Sequence, residues 1–148
     1  LNDFKENKKF LMQYRITQKK IDELEEELAA LDEQADVQSQ RLTGMPSSEP
    51  TNDFDAIIVQ KTALEDEINS LSIIARKQFK NVLEVILKLN NGNQREVLES
   101  YFLYSRTLKD TASFLGLSCR HVERLYSEGV KQCRVNVGKS SVYKRDET

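Results

Sequence analysis

The sequence predicts an all-α chain: a long antiparallel coiled-coil hairpin followed by a small helix-turn-helix domain. Three features carry that expectation. Two long stretches repeat apolar residues at alternating spacings of three and four, a Gly- and Pro-containing break separates them, and cap, turn and anchor residues follow one another closely near the C-terminal end. Composition agrees. With 39% apolar and 31% charged residues and no Trp in 148, the chain is poor in material for one large core and suited to long helices that bury a stripe.

The first helix is predicted from about Asp3 to Leu42. Its seam is Phe10, Tyr14, Thr17, Ile21, Leu24, Leu28, Leu31, Ala35, Gln38 and Leu42, a heptad pattern that is apolar in its middle and softer at both ends. The acidic run Asp22–Glu27 flanks the seam as a solvated face. Residues 43–53, with one Gly and two Pro, break the pattern and read as a loop. A second helix is predicted from about Asp53 to Leu89, through Phe54, Ile57, Lys61, Leu64, Ile68, Leu71, Ala75, Gln78, Val82, Val85 and Leu89. At 1.5 Å per residue each arm spans roughly 50 Å.

Ile58, Ile73, Ile74, Phe79, Leu83 and Ile86 make the second helix's apolar stripe too wide for one partner helix. The expected cover is twofold: the C-terminal domain on the last turns, and a second copy of the chain on the rest. A homodimer through the long helices follows as an expectation.

Asn90-Asn-Gly-Asn93 ends the second arm, and a third helix follows over about Gln94–Tyr104, with Val97, Leu98, Tyr101 and Phe102 inward. Thr107 is placed to cap a fourth helix, with Asp110 three residues on as in a capping box and Leu108, Ala112 and Leu115 on one face. Gly116 supplies the left-handed reversal, and Ser118 caps a fifth helix anchored by Val122, Leu125 and Val130. The expected organisation is therefore 1–90 as the hairpin for oligomerisation or partner binding, 91–137 as the helix-turn-helix domain, and 138–148 as a disordered tail.

Charge separates the two parts. Residues 1–90 carry 12 Lys/Arg and 17 Asp/Glu, a net of −5, whereas residues 91–148 carry 10 and 7, a net of +3. Only the C-terminal part has a balance suited to a polyanion. An apolar anchor face backing a basic face across a Gly turn is how a helix is presented to the major groove of double-stranded DNA. The candidate DNA-binding residues are Lys109, Ser118, Cys119, Arg120, His121, Glu123, Arg124, Ser127 and Lys131. Arg120 and Arg124, four apart on one face, are suited to guanine edges or phosphates. Glu123 is suited to cytosine N4 or to a neighbouring Arg, Lys131 and Arg134 to phosphate, and Arg95 and Arg106 are further backbone candidates.

The stretch Gln94–Arg134 resembles the C-terminal domain of sigma-70 family factors, the part that reads the −35 promoter element. The matching frame is Val97-Leu98, Phe102, Thr107-Leu108-Lys109-Asp110, Leu115-Gly116-Leu117-Ser118, Val122, Leu125 and Val130-Lys131. A nearer resemblance is to phage and mobile-element regulators of Gram-positive bacteria, relatives of the ArpU- and RinA-type late-gene activators, whose short Gly-Met-Pro loop resembles Leu42-Thr-Gly-Met-Pro46. The resemblance implies a sequence-specific transcriptional regulator, an activator of phage or mobile-element genes in the cytoplasm of a bacterial host, with promoter DNA as partner and RNA polymerase as a second candidate for the arms. Cys119 where sigma factors commonly have Arg, an altered Arg120 and an acidic Glu128 imply a target other than the housekeeping element.

Two alternatives belong to other classes: a small terminase subunit recognising phage DNA for packaging, and a coiled-coil adaptor that grips protein through its sigma-like domain. An enzyme is not expected. The chain shows no Gly-rich phosphate loop and no nucleophile beside a base, and one His with two Cys does not supply a zinc site. Tyr101, Tyr104 and Tyr126 are expected to pack rather than react. No cofactor or metal is expected, nor a membrane span or signal peptide.

Overall fold

The computed structural model describes residues 4–44 and 52–135, with side chains described over 4–37 and 54–135. Every regular element among them is helical: α1 Phe4–Gly44, α2 Asn52–Leu87, α3 Gly92–Leu98 continued by a π-helical turn Glu99–Leu103, α4 Leu108–Leu115 and α5 Cys119–Gln132. The expected Gly-Met-Pro loop and the expected disordered tail fall largely or wholly outside the described residues, as do the seam side chains of Gln38 and Leu42. No helix among the described residues is long and apolar enough to cross a membrane.

The two long helices pack antiparallel. Tyr14 of α1 meets Phe79 of α2 edge-on with ring centroids 5.1 Å apart, and Asp32 of α1 meets Lys61 of α2 with an N–O distance of 2.6 Å.

The described residues form two compact units, one of residues 16–44 and 52–76 and one of residues 4–15 and 77–135. In the first, Ile21, Leu24 and Ala35 from α1 and Ile57 and Ala75 from α2 are buried, all of them seam positions. Leu28, Leu31, Leu64, Ile68 and Leu71 are half-buried. Lys61, at an otherwise apolar seam position, is held by the Asp32 carboxylate, whose hydrogen bond raises the lysine's pKa. Ile58, Ile73 and Ile74 remain exposed in the single chain, Ile73 by 55%.

The other unit has one apolar core. Val82, Val85, Ile86 and Leu89 from α2 join Val97, Leu98, Phe102 and Leu103 from α3 and the π-turn, Ala112 from α4, and Val122, Leu125, Tyr126 and Val130 from α5. The last turns of α2 are covered by the domain that follows them, as the wide stripe predicted. α1 enters this core through Leu11, which is fully buried, while the predicted seam residue Phe10 is half-buried. The seam shifts because the first turns of α1 face α5 and the π-turn, partners that a two-helix heptad does not describe.

Candidate nucleic-acid interface

Local chemistry fixes both helices of the candidate reading unit. Thr107 Oγ1 accepts from Asp110 N at 2.9 Å and caps α4. At the other end Gly116 adopts φ 71°, Leu117 N donates to Ala112 O at 3.0 Å, and Gly116 N donates to Ser113 O at 3.4 Å. This pair of bonds is a Schellman closure, which needs a left-handed residue and favours glycine there. Ser118 Oγ then accepts from His121 N at 3.1 Å and opens α5.

α5 buries Val122, Leu125, Tyr126, Gly129 and Val130. Its other side exposes Cys119, Arg120, Glu123, Arg124, Glu128 and Lys131, with His121 and Ser127 half-buried. Arg120, Arg124, Ser127 and Lys131 recur at helical spacing along one stripe. Among the described residues neither Arg120, Arg124 nor Lys131 is held in an ion pair, so their charges are free for an incoming polyanion. Lys109 is exposed in the first turn of α4. The structure thus places the sequence-predicted residues on the outward side of α4 and α5.

Arg95 and Arg106 are different. The Arg95 guanidinium reaches back to the Leu89 carbonyl and ties α3 to the end of α2. Arg106 lies over Phe114 at 4.4 Å and over Tyr104 at 5.6 Å, and its Nη1 donates to Ser100 Oγ at 3.2 Å. Both side chains are engaged within the protein, which gives them a structural part. Tyr126 packs against Tyr101 and Phe102. Tyr104 is exposed and meets Phe79 edge-on at 6.5 Å. Among the described residues no three His, Cys, Asp or Glu side chains gather where a metal ion could be held.

Sequence reasoning missed three polar residues. Asn7 is fully buried, and its Nδ2 donates to Val130 O at 2.8 Å and Cys133 O at 3.0 Å. Arg15 Nη1 donates to Tyr101 O at 3.0 Å, with its guanidinium 4.2 Å from the centroid of the Tyr101 ring. Asn7 adds a second donor to Val130 O, which already accepts from Cys133 N at 3.3 Å, and both side chains serve carbonyls near helix ends. Lys88 is the third. It lines a cavity of about 300 Å³ with Val85, Leu89, Asn90, Gln132 and Arg134, which brings two cations together at the end of α5. No pattern in the sequence links Lys88 to Arg134.

Burial pushes the Cys133 thiol up to about 12, and burial with neighbouring Tyr101 pushes the Tyr126 hydroxyl up to about 12. Both groups therefore remain neutral inside the domain.

Residues 91–135 match the family described as Sigma-70, region 4. The match starts at Asn91, whose side chain caps α3 by accepting from Gln94 N at 3.1 Å, and runs through the whole of α4 and α5. Domains of that family are of helix-turn-helix, DNA-binding type, and α4, the Gly116 turn and α5 of this segment are consistent with that type. No curated protein and no solved structure matches the chain.

Proposed function

We propose that this chain is a sequence-specific transcriptional regulator that docks α5 in the major groove of promoter DNA, and that it belongs with the activators of phage or mobile-element genes. The observation that carries the reading is the pair Arg120 and Arg124, exposed and unpaired on α5, in a domain of sigma-70 region 4 type whose opposite face is anchored by Val122, Leu125 and Val130. Each arginine offers two parallel donors to guanine O6 and N7. Lys109, Lys131 and Arg134 hold phosphates and set the helix's depth, while Glu123 accepts from cytosine. The acidic hairpin does not meet DNA. It makes the chain a homodimer that presents two reading helices, and it offers RNA polymerase a surface.

The test is a double Arg120→Ala, Arg124→Ala variant on a target found by selection from random DNA. Specific affinity falls by about 2–6 kcal/mol, at least thirty-fold, with helicity unchanged. A double variant that binds the selected site as tightly as the wild type removes α5 from the interface.

A further inference from the structure

Asn7, Leu11 and Arg15 recur every fourth residue, so they share one face of α1. The middle member is buried in the domain core. The outer two complete the carbonyl ends of other helices. α5 stops at Gln132, and Asn7 supplies donors to Val130 O and Cys133 O. The π-turn stops at Leu103, and Arg15 supplies the donor to Tyr101 O. The side chains between them interlock: Phe4 meets Tyr126 edge-on at 5.9 Å, Tyr126 meets Tyr101 at 5.0 Å, and Arg15 lies over Tyr101. Tyr126 is itself a residue of α5, on the side opposite Arg124 and Arg120.

We propose that Asn7 and Arg15, on one face of α1, form a positioning clamp for α5, with Asn7 its principal positioning residue. The proposal rests on the reading of α5 as the DNA-reading helix. Asn7 holds α5 by its last turn, and Arg15 with Phe4 holds it by Tyr126, so the helix is fixed at two points along its buried side. Fixing it there sets the angle at which Arg120 and Arg124 leave the domain. Two donors from one buried amide are directional in a way that apolar packing is not, because without them the Cys133 carbonyl loses a donor inside the protein, which is costly, while Val130 O keeps only its bond from Cys133 N. Phosphate contacts tolerate a small tilt of α5, and guanine-edge contacts do not. Loss of the clamp therefore lowers specific binding more than non-specific binding.

The experiment compares full-length Asn7→Ala, Asn7→Gln, Arg15→Met and Leu11→Val with the wild type. Asn7→Gln keeps the donor, Arg15→Met keeps the stem over Tyr101 and loses the hydrogen bond, and Leu11→Val alters packing alone. Two quantities are read: the ratio of specific to non-specific DNA affinity at fixed salt, and amide hydrogen exchange over Val130–Cys133. Asn7→Ala lowers the ratio by about tenfold and speeds that exchange by about tenfold. Arg15→Met lowers the ratio by a few-fold. Asn7→Gln recovers most of the loss, and Leu11→Val leaves the ratio unchanged while lowering the unfolding midpoint. If Asn7→Ala leaves the ratio unchanged, as Leu11→Val does, the clamp is only structural and the proposal is overturned. If Asn7→Ala does not fold, Arg15→Met decides in its place, and an unchanged ratio there overturns the proposal. If the wild type prefers no DNA sequence, the DNA-reading role fails. The exchange measurement then judges the clamp alone, and undisturbed exchange in Asn7→Ala overturns it.

Discussion

Gly129 of α5 lies so close to Leu98 of α3 that a Cβ at Gly129 would come 3.2 Å from Leu98 Cδ1 and 3.3 Å from its Cγ. Leu98 is fully buried, so it must shift by a few tenths of an ångström within the core to admit that Cβ. Gly129→Ala gains helix propensity of about 1 kcal/mol but overpacks by more, for a net loss of about 1 kcal/mol, and Gly129→Val costs more. Urea unfolding reads this as a lower midpoint with an unchanged slope. A more stable Gly129→Ala protein would show that α3 and α5 are less tightly apposed.

Thr107 does more than cap. Its hydroxyl accepts from Asp110 N, and its carbonyl accepts from Thr111 N and from Thr111 Oγ1, each at 2.9 Å. Thr107→Ala removes the first bond alone and destabilises by about 1 kcal/mol, while Thr107→Asp stays within a few tenths. Equal loss in both variants, by the same urea assay, would point to the methyl group rather than the hydroxyl.

Cys133 and Tyr126 predict the alkaline limit. Their ordinary values are 9.0 and 10.0, and both are raised to about 12 in the folded chain. Below pH 9 both are protonated in folded and unfolded chains alike, and their stabilisation is complete. Between pH 9 and 12 the unfolded chain releases protons that the folded chain keeps, so stability falls as pH rises. Cys133→Ala flattens the first part of that fall, which a series of melts from pH 8 to 11 would reveal. In the same chain Cys119 is exposed and Cys133 buried. A thiol reagent labels Cys119 at once and Cys133 only as the domain opens; equal labelling rates would contradict the burial.

Leu64 and Leu71 lie half-buried along the hairpin seam, with Ile58, Ile73 and Ile74 exposed nearby. Replacing Leu64 and Leu71 with Asp yields a monomer or an unfolded arm and weakens promoter binding far beyond what two distant side chains explain. Sedimentation with circular dichroism checks this. A well-folded wild-type monomer at micromolar concentration defeats the homodimer, and a ring of roughly eight or more subunits favours DNA packaging over regulation.

The sequence made the turn chemistry legible because it is local. Thr107, Gly116 and Ser118 each act on residues within five positions of themselves, and all three hold the bonds or backbone that their type implies. The heptads were legible for the same reason, down to the buried Ile21, Leu24, Ile57 and Ala75. Asn7 and Arg15 were not. In a charged N-terminal stretch they look like any solvated polar positions, and their acceptors are 86 or more residues away. The π-turn was hidden too: Val97, Leu98, Tyr101 and Phe102 have ordinary α spacing, and nothing local signals a turn that buries Ser100 and Leu103 as well.

The bond from Asn7 to the Cys133 carbonyl joins residues 126 apart. A ribosome adding roughly 5–20 residues per second takes several seconds to cover that distance. During this time the hairpin arms can pair, and the face of α1 that carries Leu11 can meet α2 but not yet α5. The unit that joins Asn7 to Cys133 therefore closes only after Cys133 has been made. A premature stop between Leu89 and Cys133 would leave behind an intact seam with an uncovered apolar end, a species suited to capture by chaperones or to pairing with full-length copies.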